Sequence, residues 1–303
     1  MRRRAAVLLA VLASLAAGAA PAPVAAAGPT AATAPTRIVH VRELTLGYRS
    51  IGTGRPVVFI MGLGGAMDAW DPTFLDALAA RRHRVLVFDN EGIGRSTTRR
   101  GILTIRRMGD DAAGLIRALH LRGADVVGWS MGGMIAQSLA VRHPRSLRRL
   151  VLLATAPGDG KVVPPLPDAL AVLGGGATAN PAALLGLLFP PDQTEAMTHY
   201  VSDLALRTGF AGIAPARVTA RQLGAATVWT QGGDRDGKRV ARLRLPVLIG
   251  GGAEDHLLPI GNQRHLARLI PGARLLVYPD SAHAFFFQNA ADFLPRLDDF
   301  LAG

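Results

Sequence analysis

The chain is 303 residues long, 49% of its residues are hydrophobic, and its formal net charge is +12. It contains no cysteine, which excludes disulfides and a lipid-modified cysteine anchor, and its length is sufficient to bury a core without disulfides. The arginine clusters are short and lack interleaved aromatic residues, so we expect a solvated basic surface and no nucleic-acid partner.

The N-terminal sequence predicts export. Three arginines follow Met1, and the apolar run Ala5–Ala20 follows them, a pattern typical of a secretory signal. The run is shorter than the ~20 apolar residues of a membrane span, so we expect no span in the mature protein and a secreted or cell-envelope location. We assign residues 1–27 to the signal and residues 28–37, rich in Ala, Pro, Gly and Thr, to a disordered leader.

Strand-like and helix-like segments alternate from residue 38 to residue 157. Apolar runs at Val57–Ile60 and Val85–Phe88 predict buried strands, and apolar residues at helical spacing predict a helix over Thr104–Leu119. Strands that alternate with helices form mostly parallel sheets covered on both faces. We therefore predict an α/β fold with a mostly parallel, doubly wound sheet.

The alternation stops in residues 158–238 and resumes in residues 239–303. The interrupting segment is rich in Ala, Leu, Pro and Gly, which predicts a helical cap inserted into the core. Its most apolar stretches, Leu170–Leu173 and Leu184–Phe189, either form the core of the cap itself or line a substrate pocket.

Ser130 is the candidate nucleophile. It follows the strand-like segment Ala124–Val127 and precedes a helix-like segment, and Gly128, Gly132 and Gly133 surround it. A serine at a sharp turn from strand to helix exposes its hydroxyl, and small neighbours let the two backbones approach closely. This placement favours a nucleophile over an ordinary turn serine.

Asp255 and His283 are the candidate acid and base. Each follows a strand-like run, Val247–Gly250 and Ala273–Tyr278 respectively, and both lie after Ser130 in the chain. A carboxylate can hold an imidazole in the tautomer that accepts the proton of a serine hydroxyl. The three residues together favour nucleophilic catalysis.

Other residues compete for these roles. Glu254 and Asp159 are alternative acids, and His256 is an alternative base that shares a loop with Asp255. We favour Asp255 because of its loop position, and His283 because the base requires a loop of its own. No pair of histidines has metal-ligand spacing near a third ligand, so we expect neither a metal nor a cofactor.

The order of these motifs resembles that of the α/β-hydrolase family, and the resemblance extends from Val57 to Leu301. It implies that the backbone amides of Leu63 and Met131 form an oxyanion hole. Leu63 lies in the segment Met61–Gly65, the oxyanion loop. Met61 stands where many members have histidine, so we expect one hydrogen bond that stabilises this loop to be missing.

A second loop of the family, after the strand that ends at Phe88, is similar to Phe88–Ser96. Glu91 stands in it where a basic residue is more usual. We also expect Trp129 and Met61 to contact the substrate, because they flank the oxyanion site.

The resemblance implies a serine hydrolase that cleaves a small-molecule ester or lactone through an acyl-enzyme intermediate. Carboxylic ester hydrolysis is our first interpretation. A lactonase, a peptidase, a carbon–carbon bond hydrolase or a perhydrolase would use the same triad, and a non-catalytic binding protein on the same scaffold is a further alternative. The natural substrate, the export route and the oligomeric state are left open by the sequence.

Overall fold

The computed structural model describes residues 28–121, 123–174, 181–207, 209 and 214–303. The signal-peptide prediction for residues 1–27 lies outside the described residues. Within the described part, eight strands form one sheet, and ten α-helices surround it. The strands are β1 Arg37–Val41, β2 Leu44–Ile51, β3 Arg55–Ile60, β4 His83–Phe88, β5 Ala124–Trp129, β6 Leu147–Leu153, β7 Val247–Gly252 and β8 Arg274–Tyr278.

The strand order of the sheet is β1-β2-β4-β3-β5-β6-β7-β8. The pairs β1–β2 and β2–β4 are antiparallel, whereas strands β3 to β8 run parallel to one another. Every residue of β5 and β7 is buried, as expected for parallel strands with helices on both faces. The predicted fold class is therefore confirmed.

The helices cover both faces of the sheet. One core cluster packs α2, α3 and α8 against one face, and a second packs α1, α9 and α10 against the other. Successive residues of β3 alternate between the clusters, with Val57 and Phe59 in one and Val58 and Ile60 in the other. The helices are α1 Pro72–Ala79, α2 Ile105–Ala118, α3 Met131–Arg142, α4 Pro167–Gly174, α5 Pro181–Leu188, α6 Thr194–Ala205, α7 Ala216–Thr230, α8 Gly261–Leu269, α9 Phe285–Gln288 and α10 Ala290–Ala302.

Helices α4 to α7 fall within residues 158–238, which contain no strand among the residues that are described. Helices α5, α6 and α7 contact the core directly. Tyr200 of α6 stacks on Phe287 with ring centroids 5.1 Å apart, and Trp229 of α7 is fully buried in the core cluster of α2 and α3. None of the described helices is long and apolar enough to cross a membrane.

The leader that we predicted to be disordered is partly packed against the core. Ala34 is only 1% exposed, and the Ala31 N–H donates a hydrogen bond to Asp76 of α1 at 2.7 Å. Arg207, which follows α6, donates to the carbonyl of Ala32 at 2.9 Å. The prediction was wrong for residues 31–34 because small residues such as alanine fit closely against a core, which composition alone does not reveal.

A buried charge cluster surrounds Glu91, whose side chain is fully shielded from solvent. Its carboxylate accepts hydrogen bonds from Arg99 at 2.8 Å and from Arg107 at 3.0 Å, and Arg221 of α7 lies 3.5 Å away. Arg99 also pairs with Asp111 of α2, and burial raises the pKa of Asp111 to about 6 despite this pairing. The cluster joins the loop after β4, helix α2 and helix α7.

We expect Glu91→Ala to destabilise the fold, because three partly buried arginines would lose their shared carboxylate. Breaking a buried ion pair by removing one partner costs about 3–5 kcal/mol, and the partial exposure of these arginines places the loss near the lower value. Urea unfolding measures the change. Glu195→Ala is the control, because the Glu195 side chain on α6 is exposed, and this variant should leave the free energy of unfolding unchanged. Equal stability of the two variants would contradict the structural role of the cluster.

Candidate active site

Ser130 lies at the turn between β5 and α3 in a backbone conformation that is rare for a residue with a side chain. Its φ is +59° and its ψ is −126°, which costs on the order of 1–3 kcal/mol and persists only where the surroundings enforce it. The Ser130 N–H donates to the Leu153 carbonyl at 2.9 Å, and its carbonyl accepts from the Thr155 hydroxyl at 2.7 Å. Both partners belong to β6 or the residues after it, so the neighbouring strand fixes the turn.

The glycines near Ser130 are required by close backbone contacts. A Cβ on Gly132 would lie 2.0 Å from the Ile60 carbonyl oxygen, and one on Gly128 would lie 2.4 Å from the Gly132 carbonyl oxygen. Both distances are too short for non-bonded atoms, so any larger residue would force α3 away from the sheet. The pattern around Ser130 is thus a packing requirement of this turn.

Asp255 and His283 form a buried hydrogen-bonded pair. Asp255 Oδ2 lies 2.7 Å from His283 Nδ1, and both residues are 2% exposed. Asp255 Oδ1 accepts from the N–H groups of Leu257 at 2.9 Å and Leu258 at 2.8 Å. The carboxylate is therefore fixed on both oxygens, and its position on Nδ1 leaves Nε2 of the neutral imidazole as the nitrogen that can accept a proton.

Neither alternative acid takes the place of Asp255 beside His283, and the alternative base contacts a different carboxylate. Asp159 contacts His265 at 2.8 Å, and although burial opposes it, this hydrogen bond holds the pKa of Asp159 below its ordinary value. His256 contacts Asp168 of α4 at 2.6 Å, and Glu254 is exposed. Of the candidate acids, Asp255 is the one that contacts His283.

Ser130 and His283 follow strands β5 and β8 of the same parallel sheet, and Asp255 follows β7. Parallel strands end at the same edge, which brings the three loops together. Within the described residues, the Ser130 hydroxyl makes no hydrogen bond to His283 in this structure. Such hydrogen bonds are often long before a substrate binds. Nor do the described residues contain a group of three or more side chains able to hold a metal ion.

Trp129, which directly precedes Ser130 in the chain, contacts His283. Its indole N–H donates to the His283 carbonyl at 3.1 Å, and its ring centroid lies 5.7 Å from that of the imidazole. We expected Trp129 and Met61 to contact the substrate, but they are 5% and 2% exposed and belong to the core cluster of α1, α9 and α10. Trp129 thus supports the backbone of the loop that carries His283, the histidine loop. The sequence does not predict this role, because the carbonyl that Trp129 binds is distant along the chain.

The loop Met61–Gly65 lies against the nucleophile, because a Cβ on Gly62 would be 2.9 Å from Ser130 Cβ. The Met61 carbonyl accepts a hydrogen bond from the Asn90 side chain at 2.9 Å. Asn90 therefore supports the loop in which we expected one hydrogen bond to be missing. Sequence reasoning missed Asn90, although it lies in the Phe88–Ser96 motif.

The N–H groups of Leu63 and Met131 lie on this loop and at the start of α3. Met131 is the first residue of its helix, and N–H groups there lack intrahelical partners and favour negative charge. Leu63 lies next to Gly62, which touches Ser130. Both expected oxyanion donors thus belong to backbone segments adjacent to the nucleophile.

The second apolar stretch of the cap, Leu184–Phe189, holds the histidine loop. The Ala284 N–H donates to the Leu188 carbonyl at 2.9 Å, and the Leu187, Leu188 and Phe189 side chains are buried. Leu170 in the first stretch is instead 52% exposed. The stretch that ends at Phe189 is therefore part of the core that supports the site.

A family model and several known proteins are similar to this chain. A family model described as serine aminopeptidase, S33, matches residues 54–290. The chain is 32% identical over 272 residues to Mycobacterium tuberculosis BpoC, to which a non-heme bromoperoxidase activity is provisionally assigned; the match covers 81% of this chain and 93% of BpoC.

Solved structures are similar over most of the chain. An α/β-hydrolase fold protein from Chitinophaga pinensis is 28% identical, with a TM-score of 0.79, and the match covers 90% of this chain and 98% of that one. The enol-lactonase of Burkholderia xenovorans LB400 is 25% identical, with a TM-score of 0.69, and the match covers 88% of this chain and all of the other, 100%. The range matched by the family model, residues 54–290, contains Ser130, Asp255 and His283.

We expect Trp129→Phe to disturb His283, because it removes the indole donor and keeps an aromatic ring. A buried carbonyl that loses its donor costs about 1–3 kcal/mol. The proton NMR signal of the hydrogen bond between Asp255 and His283 should shift or broaden. Trp229→Phe is the matched control, since Trp229 donates to the Ala156 carbonyl at 3.3 Å and should lose stability without changing that signal. An unchanged signal in Trp129→Phe would contradict the link.

Proposed function

Because the chain belongs to the α/β-hydrolase family and is a hydrolase enzyme by that membership, we propose that it cleaves carboxylic esters through an acyl-enzyme intermediate. The observation that carries the proposal is the buried, hydrogen-bonded pair of Asp255 and His283 beside the strained turn at Ser130. Binding alone would require neither the strained serine nor the fixed pair, which argues against a non-catalytic role.

In the proposed reaction, Ser130 Oγ attacks the ester carbonyl carbon while His283 Nε2 takes the hydroxyl proton. The carbon–oxygen bond to the alcohol then breaks, and His283 returns the proton to the departing alkoxide. Asp255 holds the imidazole and stabilises its protonated form. Water, deprotonated by His283, attacks the acyl-enzyme in the same way and releases the carboxylic acid and the serine hydroxyl.

The negative charge that develops on the carbonyl oxygen needs donors already in place. The backbone N–H groups of Leu63 and Met131 are our candidates, because both belong to segments that touch or adjoin Ser130. Backbone donors need little reorganisation during the reaction, and one such donor contributes about 10²–10³ in kcat.

The similarity to an enol-lactonase supports an ester or lactone substrate, since a lactone is a cyclic ester. Ester cleavage is the simpler of the two for a first test, because chromogenic nitrophenyl esters report it directly. A panel with short-chain esters, a lactone and an aminoacyl anilide separates the alternatives. Faster turnover of the anilide than of every ester would move the protein to the peptidases.

We expect Ser130→Ala and His283→Ala to abolish ester hydrolysis with the fold intact. In a related triad, loss of the serine or histidine costs about 10⁶ in kcat. Nitrophenyl acetate and butyrate hydrolysis measure the loss, and circular dichroism verifies the fold. His256→Ala is the matched control and should retain activity. Full activity of folded Ser130→Ala, or inactivity of His256→Ala alone, would overturn the assignment.

The same assay tests the acid. Asp255→Asn should lower kcat by about 10⁴, the loss seen for the corresponding change in a serine protease, because an amide favours the wrong imidazole tautomer. Asp159→Asn should have little effect, since Asp159 contacts His265. The reverse pattern would show that Asp159 is the acid.

We further propose that the protein is exported. The support is the N-terminal sequence, in which arginines precede an apolar run shorter than a membrane span. The native chain should be recovered from the medium or cell envelope with its signal removed, and N-terminal sequencing of the purified protein locates the cleavage. An intact N-terminus on a chain confined to the cytoplasm would contradict export.

A further inference from the structure

The oxyanion loop Met61–Gly65 is bound by the inserted segment as well as by the core. The Gly64 N–H donates to Gln222 Oε1 at 2.8 Å, and the Gly64 carbonyl accepts from the Ala214 N–H at 2.8 Å. Gln222 belongs to α7, and Ala214 lies two residues before the start of that helix. The polar groups of one loop residue are thus both fixed by the cap.

Gln222 is an unusual residue for a helix interior that packs against the core. It is fully buried, and the bond to Gly64 requires its oxygen, because a backbone N–H donates only to an acceptor. Its Nε2 then has no hydrogen-bond partner among the described residues. An unpaired buried donor lowers stability, so stability alone does not account for a glutamine here.

Helix α7 packs against the loop after β4 and the end of the oxyanion loop. Arg221, the neighbour of Gln222, donates to the Gly101 carbonyl at 2.9 Å and lies 3.5 Å from the buried Glu91 carboxylate. A small core cluster joins the cap to the end of the oxyanion loop and to the loop after β4, and its members are Ala66, Ile93, Ala214 and Val218. The position of Gln222 relative to Gly64 is therefore fixed from several sides.

We propose that Gln222 is a positioning residue that holds the oxyanion loop in its active geometry, so that the cap takes part in catalysis through this contact. The inference rests on the proposed function. The Gly64 N–H belongs to the peptide that follows Leu63, so its hydrogen bond restricts rotation of the backbone that carries the Leu63 N–H. Oxyanion donors are effective because they are oriented before the charge develops.

Gln222→Met tests the proposal, because methionine has a similar length and replaces the amide oxygen with a thioether sulfur, which is only a weak acceptor. We expect kcat for nitrophenyl butyrate to fall about 10- to 100-fold, less than the full loss of one oxyanion donor. KM should change by less than about threefold, since the oxyanion donors that Gln222 orients act mainly in the transition state, and loss of such an interaction lowers kcat. Gln222→Glu keeps an acceptor oxygen and should recover kcat to within about fivefold of the wild type.

Gln137→Met is the matched control. Gln137 is also fully buried, and its Nε2 donates to the Ala156 carbonyl at 3.0 Å, away from the oxyanion loop. This variant should lose stability and keep kcat within about twofold. Wild-type kcat in Gln222→Met, or a loss no larger than that of Gln137→Met, would overturn the proposal.

Two further measurements keep the outcome clear. Gln222→Asn retains an amide one methylene shorter, and if Gln222→Met does not fold, this variant replaces it with the same expected loss and the same contradicting result. Ser130→Ala separates the two proposals: its residual activity tests the nucleophile, whereas the Gln222 series is compared with an active wild type. Hydrolysis by folded Ser130→Ala would contradict the proposed function. An unchanged kcat in the Gln222 variants would contradict only the positioning role.

Discussion

The contact between the start of α3 and the ends of β3 and β5 is the constraint on which the site depends. It has room for no side chain at Gly128 or Gly132, because a Cβ would overlap backbone atoms. Ser130 adopts its positive φ at this contact, between the end of β5 and the start of α3. The strain at one residue is stable because β6 holds both its N–H and its carbonyl through Leu153 and Thr155.

The inserted segment contacts both loops that flank the nucleophile. Leu188 of α5 accepts a hydrogen bond from the residue after His283, and Gln222 of α7 accepts one from Gly64. The histidine loop and the oxyanion loop follow different strands of the sheet, and the core also holds each of them, through Trp129 and Asn90 respectively. A cap that binds both loops reduces their independent movement, and preorganised groups need less rearrangement during a reaction.

Local patterns in the sequence predicted the parallel sheet, the turn at Ser130 and the residues that became the Asp255–His283 pair. These features depend on hydrophobic periodicity, on small residues beside a turn and on the order of the strands. Each of these signals can be recognised in short stretches of sequence. The roles of Trp129, Asn90 and Gln222 were not predicted, because each side chain binds a backbone group of a distant segment. Such contacts have no sequence period and follow only from the assembled fold.

The charge cluster at Glu91 shows how a local substitution can require partners in other elements. An acidic residue at a position that is more usually basic in the family is stable in a buried environment only if positive groups surround it. Arg99, Arg107 and Arg221 provide them, and the third lies on α7 beside Gln222. The charge at Glu91 thereby helps to seat the helix that contacts the oxyanion loop. The ion pairs of Glu91 and the hydrogen bond at Gly64 therefore belong to the same interface, between α7 of the cap and the loops of the core.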